Sequence, residues 1–498
     1  MSTRRKRLTR RTLVVGGGLA GCCTLGVGGG VGIGWFVAGN QDWSNAGDLS
    51  FANPLNIPPL ADAAVDADGR LVWDLTIQTG ASDLLPGALT ETWGIDGPLL
   101  APTLRARRGD VVAPVLHNAL PEDTTIHWHG MHLPAVMDGG PHQMIPTGET
   151  WSPSWTVDQP AATLWYHPHP HGTTAEHVYK GVAGMFILDD DETDAVGLPG
   201  EYGVDDIPLI LQDRTFDDDG QLDLSEPAAI GLFGRTMLVN GTIDPHLEIM
   251  RPLTRFRVLN GSNTRFYNLA FSDEREFALV ATENGLLPDG PAMLDQLLVG
   301  PGERVEIVVA CAAGESVVLR STPHDLGTGF FSFDNVGQDD TIDLIELRAA
   351  DDLGEREALS NWTMPSTRRP EVPDGATMRS FRLGGHNTIN GQEMDMSRID
   401  EVVPAGALEI WEIESSGQPH TFHIHGATYW VLGNGGDDPP LHLLGPKDTV
   451  LVSPDHSMRL AVQFGDHTDP GTPYMYHCHL LRHEDNGMMG QFVVVEPG

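Results

Sequence analysis

The chain has 498 residues, of which 40% are hydrophobic, with 58 Gly and 36 Pro. That is too long for one core and enough for about three domains, and the turn-rich composition suits a globular protein rather than a disordered one. A formal net charge of -39, with Lys6, Lys180 and Lys447 as the only lysines, argues against nucleic acid or anionic membranes as partners and describes a solvated acidic surface.

Residues 1–45 read as a targeting leader rather than as fold. MSTRRKRLTRR is strongly basic, and an apolar, Gly-rich run follows from Thr12 to Ala38. Thr9-Arg10-Arg11-Thr12-Leu13 resembles a twin-arginine signal, the export route for proteins that fold before crossing the membrane. The expected location is therefore extracellular or in the cell envelope. Leu19-Ala20-Gly21-Cys22 matches a lipobox, so three fates stay open: cleavage, a lipid on Cys22, or retention of the apolar run as an anchor. Gly16, Gly18 and Gly21 match a dinucleotide-binding glycine pattern, but no βαβ unit follows, so the match is ascribed to leader composition.

From about Leu55 the texture changes to short apolar runs broken by Gly, Pro, Asn and Asp, such as RLVWDLTIQTG, DVVAPVLHNAL and TTIHWHG. β-branched runs of this length with frequent turn signals predict an all-β fold of sandwiches or barrels. The texture recurs in RFRVLNGS and RVEIVVA, and again in ALEIWEIES, DTVLVSP and QFVVVEP. Residues 349–375 are polar and Pro-containing and read as a linker. The expected layout is a leader, a domain at 55–195, a second at 200–348, the linker, and a third at 376–498. Cys22 and Cys23 lie in the leader, and Cys311 sits in the apolar run VEIVVACAA, where a buried thiol in a strand is expected; no disulfide framework is implied.

Four clusters carry the chemistry. They are His127-Trp128-His129, then His167-Pro168-His169 (followed by His171), then His420-Thr421-Phe422-His423-Ile424-His425, and finally HCHLLRHEDNGMM from His477 to Met489. Successive strand side chains point to opposite faces, so each H-x-H pair puts two imidazoles on one side. Imidazole is the usual ligand for copper, and the neutral form binds. Ten of the 21 His fall in these motifs. In the last cluster Cys478 faces away from His477 and His479, while His483 and Met488 can return to the Cys side. A Cys thiolate, a His and a weak axial Met are ligands of a blue-copper site that needs one more His.

The four clusters resemble the four copper motifs of the multicopper oxidases, the three-domain family of laccases, bilirubin oxidases and periplasmic cuprous oxidases. The resemblance spans about residues 55–498 and implies cupredoxin-like Greek-key domains holding four coppers. It assigns His420, Cys478 and His483 to the blue (type 1) copper with Met488 axial, which implies a low-to-medium potential. It assigns His127 and His423 to the type 2 copper. His129, His167, His169, His425, His477 and His479 fall to the type 3 pair, and His171 is not a ligand. It further implies that electrons enter singly at the blue copper and pass through Cys478 to its two His neighbours. Four electrons then reduce O2 to water. Asp138 and Glu484 match carboxylates used for proton relay.

The implied partners are O2 and a small-molecule electron donor. The 16 Met are scattered, with Met394 and Met396 the only close pair before the third cluster. This departs from the Met-rich insert of enteric cuprous oxidases and favours phenols and aromatic amines as donors over bilirubin or metal ions. Two readings from other classes are a non-enzymatic copper-binding scaffold, disfavoured by the complete ligand set, and a copper nitrite reductase, which would show fewer His motifs.

Overall fold

The computed structural model of the chain describes residues 43–225, 231–328, 337–354, 359, 362–364 and 369–498. The twin-arginine, lipobox and glycine-pattern readings at 9–22 lie outside the described residues. Among the described residues no helix is long and apolar enough to cross a membrane.

The predicted all-β class is what the chain adopts. Three large hydrophobic cores follow one another along it, each between facing sheets. In the first, a sheet ordered Thr150–Trp151, Val115–Asn118, Asp74–Leu85, Ala88–Ile95 covers one ordered Leu104–Arg107, Gly184–Asp189, Ala162–His167, His127–His129. Leu75, Ile77 and Leu116 meet Leu104, Trp128, Tyr166 and Phe186 between them. In the second, Leu209, Phe256 and Ile307 of a seven-stranded sheet pack on Leu269, Leu319 and Leu347 of a six-stranded one. The third sets Phe381, Trp411 and Leu460 against Phe422, Tyr476 and Phe492. Several pairings in these sheets are parallel, for example Met378–Gly384 with Leu408–Ser416, the mark of Greek-key crossovers rather than simple hairpins.

Four strands carry the His clusters: β1 (His127–His129), β2 (Ala162–His167), β3 (His420–Ile424) and β4 (Asp469–Cys478). β1 pairs antiparallel with β2 so that Trp128 lies opposite Tyr166 and His127 opposite His167. β3 pairs antiparallel with β4 so that Phe422 lies opposite Cys478 and His423 opposite His477. Paired residues share a face, so register sorts the side chains. Trp128, Tyr166, Phe422 and Cys478 join their cores, while His127, His167, His423 and His477 point the other way.

Three details differ from the sequence reading. The stretch before Leu55 is part of the second core's sheet: Asn53–Pro54 pairs parallel with Pro245–His246, and Ser44 bridges to Thr341. Within 349–375, Leu359, Trp362 and Met364 pack on Val280 and Val308 of the second core's outer face. Cys311 is buried and in no disulfide, but it lies one residue past the strand Arg304–Ala310.

Buried charge links the first and second cores. Glu306 accepts from Arg255 Nε (2.9 Å), Arg257 Nη1 (2.9 Å) and Thr163 Oγ1 (2.5 Å), the last from β2. Burial pushes the Glu306 carboxyl up, but Arg255 and Arg257 outweigh it and hold it at about 2 rather than 4.5. A lowered folded pKa stabilises above the unfolded value and is lost as pH falls through the folded one. The drop corresponds to about 3 kcal/mol at roughly 1.36 kcal/mol per pH unit. We therefore expect Glu306→Gln to lose about that much stability at neutral pH in urea unfolding. Its difference from the parent should shrink as pH falls from about 4.5 towards 2; a difference that does not change across that range would contradict the assignment.

Candidate metal centre

The four His-bearing strands meet where the first and third cores abut. His127, His129, His167, His169, His420, His423, His425, His477, His479 and His483 are all buried, with exposures of 0 or 1%. Their ligand-capable atoms fall into compact groups, each within 4.8 Å: His127 with His129 and His423, His129 with His167 and His479, His169 with His425 and His477, and His420 with Cys478 and His483. In the third group the Nε2 atoms of His169 and His425 lie 3.2 and 3.1 Å from that of His477. In the fourth, His420 Nδ1 is 3.3 Å from Cys478 Sγ and 3.2 Å from His483 Nδ1, and Cys478 Sγ is 3.6 Å from His483 Nδ1. The first and third groups join residues about 300 positions apart in sequence.

The second ring nitrogen of His127, His129, His167, His423, His425, His477 and His483 is held by a hydrogen bond, whereas His169 Nδ1, His420 Nε2 and both nitrogens of His479 have no hydrogen-bond partner among the described residues. His127 Nδ1 donates to the Asp138 carbonyl (2.9 Å) and His423 Nδ1 to the Asp448 carbonyl (2.8 Å), leaving Nε2 of each buried with no hydrogen-bond partner among the described residues. His167 Nδ1 donates to the Pro168 carbonyl (2.9 Å) and His477 Nδ1 to that of Cys478 (3.1 Å). Burial holds His129, His167, His169, His420, His425 and His479 well below the usual histidine range, and takes His423 to about 4. Those rings are neutral at physiological pH, the form that ligates a metal. Buried, unpaired nitrogens are costly unless something satisfies them. A soft thiolate with imidazoles in one group, and imidazoles alone in the others, fits copper.

Two aspartates hold the cluster in a reciprocal pattern. Asp138 follows β1; its carbonyl takes His127, and its Oδ2 accepts from His425 Nδ1 of the third core at 2.7 Å. Asp448 precedes the strand beside β3; its carbonyl takes His423, and its Oδ1 accepts from His129 Nε2 of the first core at 3.0 Å. The rings stack in the same reciprocal way, His127 on His425 at 3.8 Å between centroids and His129 on His423 at 3.7 Å. With Nε2 engaged by Asp448, His129 offers its Nδ1 to the group with His167. Arg304 of the second core clamps Asp448 with two bonds of 2.7 and 2.6 Å. Burial pushes both carboxyls up, yet Asp138 is held well below the usual range by His425 and His127, and Asp448 by Arg304 and His129. Gly130 allows this approach: its φ is +85°, and a Cβ there would sit 2.5 Å from Asp448 Oδ2.

Glu484 and His483 lie on α2 (Leu481–Asp485), which packs on α1 (Thr174–Lys180) through Leu481, Ala175 and Val178. Asp485 closes this contact by accepting the Thr174 and Ala175 amides at 2.8 and 3.0 Å. Glu484 is buried, not at the surface, with its oxygens 3.3 Å from His169 Nδ1 and 3.2 Å from His477 Nδ1. Burial raises its pKa, but His169 and His477 prevail and take it to about 2. Met488 is fully buried in the third core, and its carbonyl accepts the Cys478 amide at 3.1 Å. His171 is exposed and stands apart from these groups.

Sequence reading missed Asp448, Arg304, His386 and Gln418. Asp448 sits in GPKDTVLV, next to no His motif, and nothing local marks it as a ring partner. His386 lies beside His483, its Nδ1 3.1 Å from His483 Nε2.

Comparison with known proteins agrees with this arrangement. The family model described as multicopper oxidase matches residues 76–193 and a second of the same description matches 367–498. The chain is 36% identical over 453 residues to the multicopper oxidase mco of Staphylococcus haemolyticus, covering 89% of this chain and 92% of that protein. It is 33% identical over 494 residues to the cell division protein FtsP of Escherichia coli, covering 98% of this chain and 99% of that one. Among solved structures, a laccase from Pediococcus acidilactici superposes with a TM-score of 0.80 at 32% identity, covering 89% of this chain and 94% of that one.

Proposed function

This chain belongs to the multicopper oxidase family and is a copper-dependent oxidoreductase, and on that premise we propose that it is laccase-like, oxidising phenols and aromatic amines one electron at a time and passing four electrons to O2. The observation that carries this reading is the set of buried groups, three of His alone and one of His420, Cys478 and His483, the ligand atoms of each lying within 4.8 Å of one another. Four coppers would fit them. His420, Cys478 and His483, with Met488, would hold the type 1 ion. His127 and His423 would hold type 2. The type 3 pair would divide between His129, His167 and His479 on one side and His169, His425 and His477 on the other.

Copper in these sites supplies single-electron acceptance at Cys478 and multi-electron reduction of O2 at the imidazole groups. The protein supplies the rest. Carbonyls and carboxylates fix which ring nitrogen of His127, His129, His423, His425 and His477 faces inward, and this preorganises the ligands. Cys478 sits between His477 and His479, so the thiolate and two ligands of the O2-reducing groups share one stretch of backbone. Asp138 touches the ring of His425 and Glu484 those of His169 and His477, where O2 reduction would consume protons. Asp138 Oδ1 has no hydrogen-bond partner among the described residues and, on a carboxylate held ionised, is the atom we assign to take up a proton and pass it inward.

Scattered methionines favour organic donors over Cu(I), which a Met-rich surface would suit better. Similarity to the cell division protein FtsP favours a second reading, a role in cell division, but the complete set of ten His and one Cys weighs for catalysis. We further propose that domains 55–195, 200–348 and 376–498 surround the three cores, and that the leader directs twin-arginine export to the envelope or beyond, with Cys22 open to lipidation.

Metal analysis with a visible spectrum tests the assignment: four coppers per chain and an intense blue band are expected, with O2 consumed in the presence of a phenol. A colourless, zinc-loaded protein would sink it. Because the sites join the first and third cores, chelation should also lower thermal stability, by about 4 kcal/mol where free copper had stood a thousandfold above its Kd. An unchanged melting temperature would contradict the bridging role.

A further inference from the structure

We infer that His386 is the residue through which the electron donor reaches the Cys478 site; this rests on the oxidase reading above. The ligands themselves are shut away from solvent, with His420, Cys478 and Met488 at 0% exposure and His483 at 1%. A donor that stays on the surface therefore needs a conductor to the site. His386 lies at the tip of a tight hairpin, Gly385-His386-Asn387, joining the strands Met378–Gly384 and Thr388–Ile389. It is only partly buried. Its ring packs on that of His483 with centroids 5.0 Å apart.

The hydrogen bonds fix how His386 is presented. His483 directs Nδ1 at Cys478, so its Nε2–H points outwards and donates to His386 Nδ1 at 3.1 Å. Gln418 Nε2, itself buried, donates to the same His386 Nδ1 at 2.9 Å and also to the Gly385 carbonyl. A ring nitrogen accepting from two donors carries no proton, so the proton of neutral His386 is on Nε2. That N–H is a donor suited to the oxygen of a phenol or the nitrogen of an aromatic amine, and the ring offers a face for stacking. Gln418 comes directly before the third His cluster, in Gln418-Pro419-His420, so the segment that places a ligand also places this outer ring.

The chemistry balances with O2 as oxidant. Each phenol gives one electron along His386 and His483 to the metal site and one proton to solvent, leaving an aryloxyl radical. Four such steps supply the four electrons that, with four protons, convert O2 to two waters.

The test compares His386→Leu and His386→Gln with the parent, all copper-loaded. In rapid mixing without O2, the bleaching of the blue band by a phenol should slow about 10- to 100-fold in His386→Leu, the range seen when a ligand's outer partner is lost. His386→Gln keeps an acceptor for His483 and should recover part of the rate. Redox titration of the blue band supplies a second readout: the potential should move in His386→Leu and stay near the parent in His386→Gln. Reoxidation of the chemically reduced protein by O2 should not change, because that step lies on the other side of Cys478. Bleaching as fast as the parent's in His386→Leu would overturn the proposal, as would equal slowing of reoxidation, which marks a general structural defect. If the parent itself shows neither blue band nor O2 consumption, it is the oxidase assignment that falls instead.

Discussion

Cys478→Ser should yield a folded, colourless protein that retains its other coppers and consumes no O2 with any donor. The Sγ atom lies 3.3 Å from His420 Nδ1 and 3.6 Å from His483 Nδ1, and no other thiol is in that group. Burial pushes the Cys478 thiol up to about 12, so at neutral pH the thiolate exists only when a bound cation displaces its proton. Copper loading of this site should therefore release a proton, and affinity should rise with pH. A serine hydroxyl is nearly the same size but is a hard, weakly acidic ligand that gives no intense thiolate band. The imidazole groups do not use the side chain of residue 478 and should keep their metal. Metal analysis, the visible spectrum and oxygen uptake check this together; persistence of the blue band in Cys478→Ser would show that the band arises elsewhere.

Asp448→Asn should damage stability and metal binding at once, for separable reasons. The carboxylate is fully buried and holds Arg304 by two bonds. Neutralising it leaves the guanidinium buried without its counter-charge, a loss of about 3–5 kcal/mol for a broken buried pair. The same carboxylate fixes His129 through Nε2, and its loss should weaken copper at the imidazole groups about 10- to 100-fold. The double variant Asp448→Asn with Arg304→Met separates the effects. Removing the stranded cation should restore much of the stability, while copper affinity stays low. Urea unfolding and competitive copper titration read the two quantities. Full recovery of copper affinity in the double variant would mean that Asp448 acts only through Arg304.

The lesson of Asp448 is general to this site. Asp138 was legible because it lies nine residues after His129, inside the pattern that carries the first His cluster. Asp448 plays the mirrored part but lies 23 residues after His425 in an apolar run, and only the pairing of β3 with the strand Thr449–Val452 brings it to the rings. Glu484 was legible by position, but its burial was not, since a Glu after a His on a short helix gives no sign of it. His386 was invisible for a different reason. It is a single His in a polar hairpin, and its meaning comes wholly from the ring it touches.

What the sequence by itself determined is the chemistry and its local sorting. Strand alternation, a property of the backbone, sends Cys478 to one face and His477 and His479 to the other, and the H-x-H spacings do the same at each cluster. The β class followed from short β-branched runs between turns. What only the tertiary structure decided is partnership: which three imidazoles of six gather around each point, which carboxylate steadies which ring, and which residue connects the Cys478 site to the surface. Those choices depend on how two sandwiches, whose His motifs lie about 250 positions apart in the chain, abut. The rings are placed by buried pairs such as Asp448 with His129 and with Arg304, whose neighbours in space are not their neighbours in the chain.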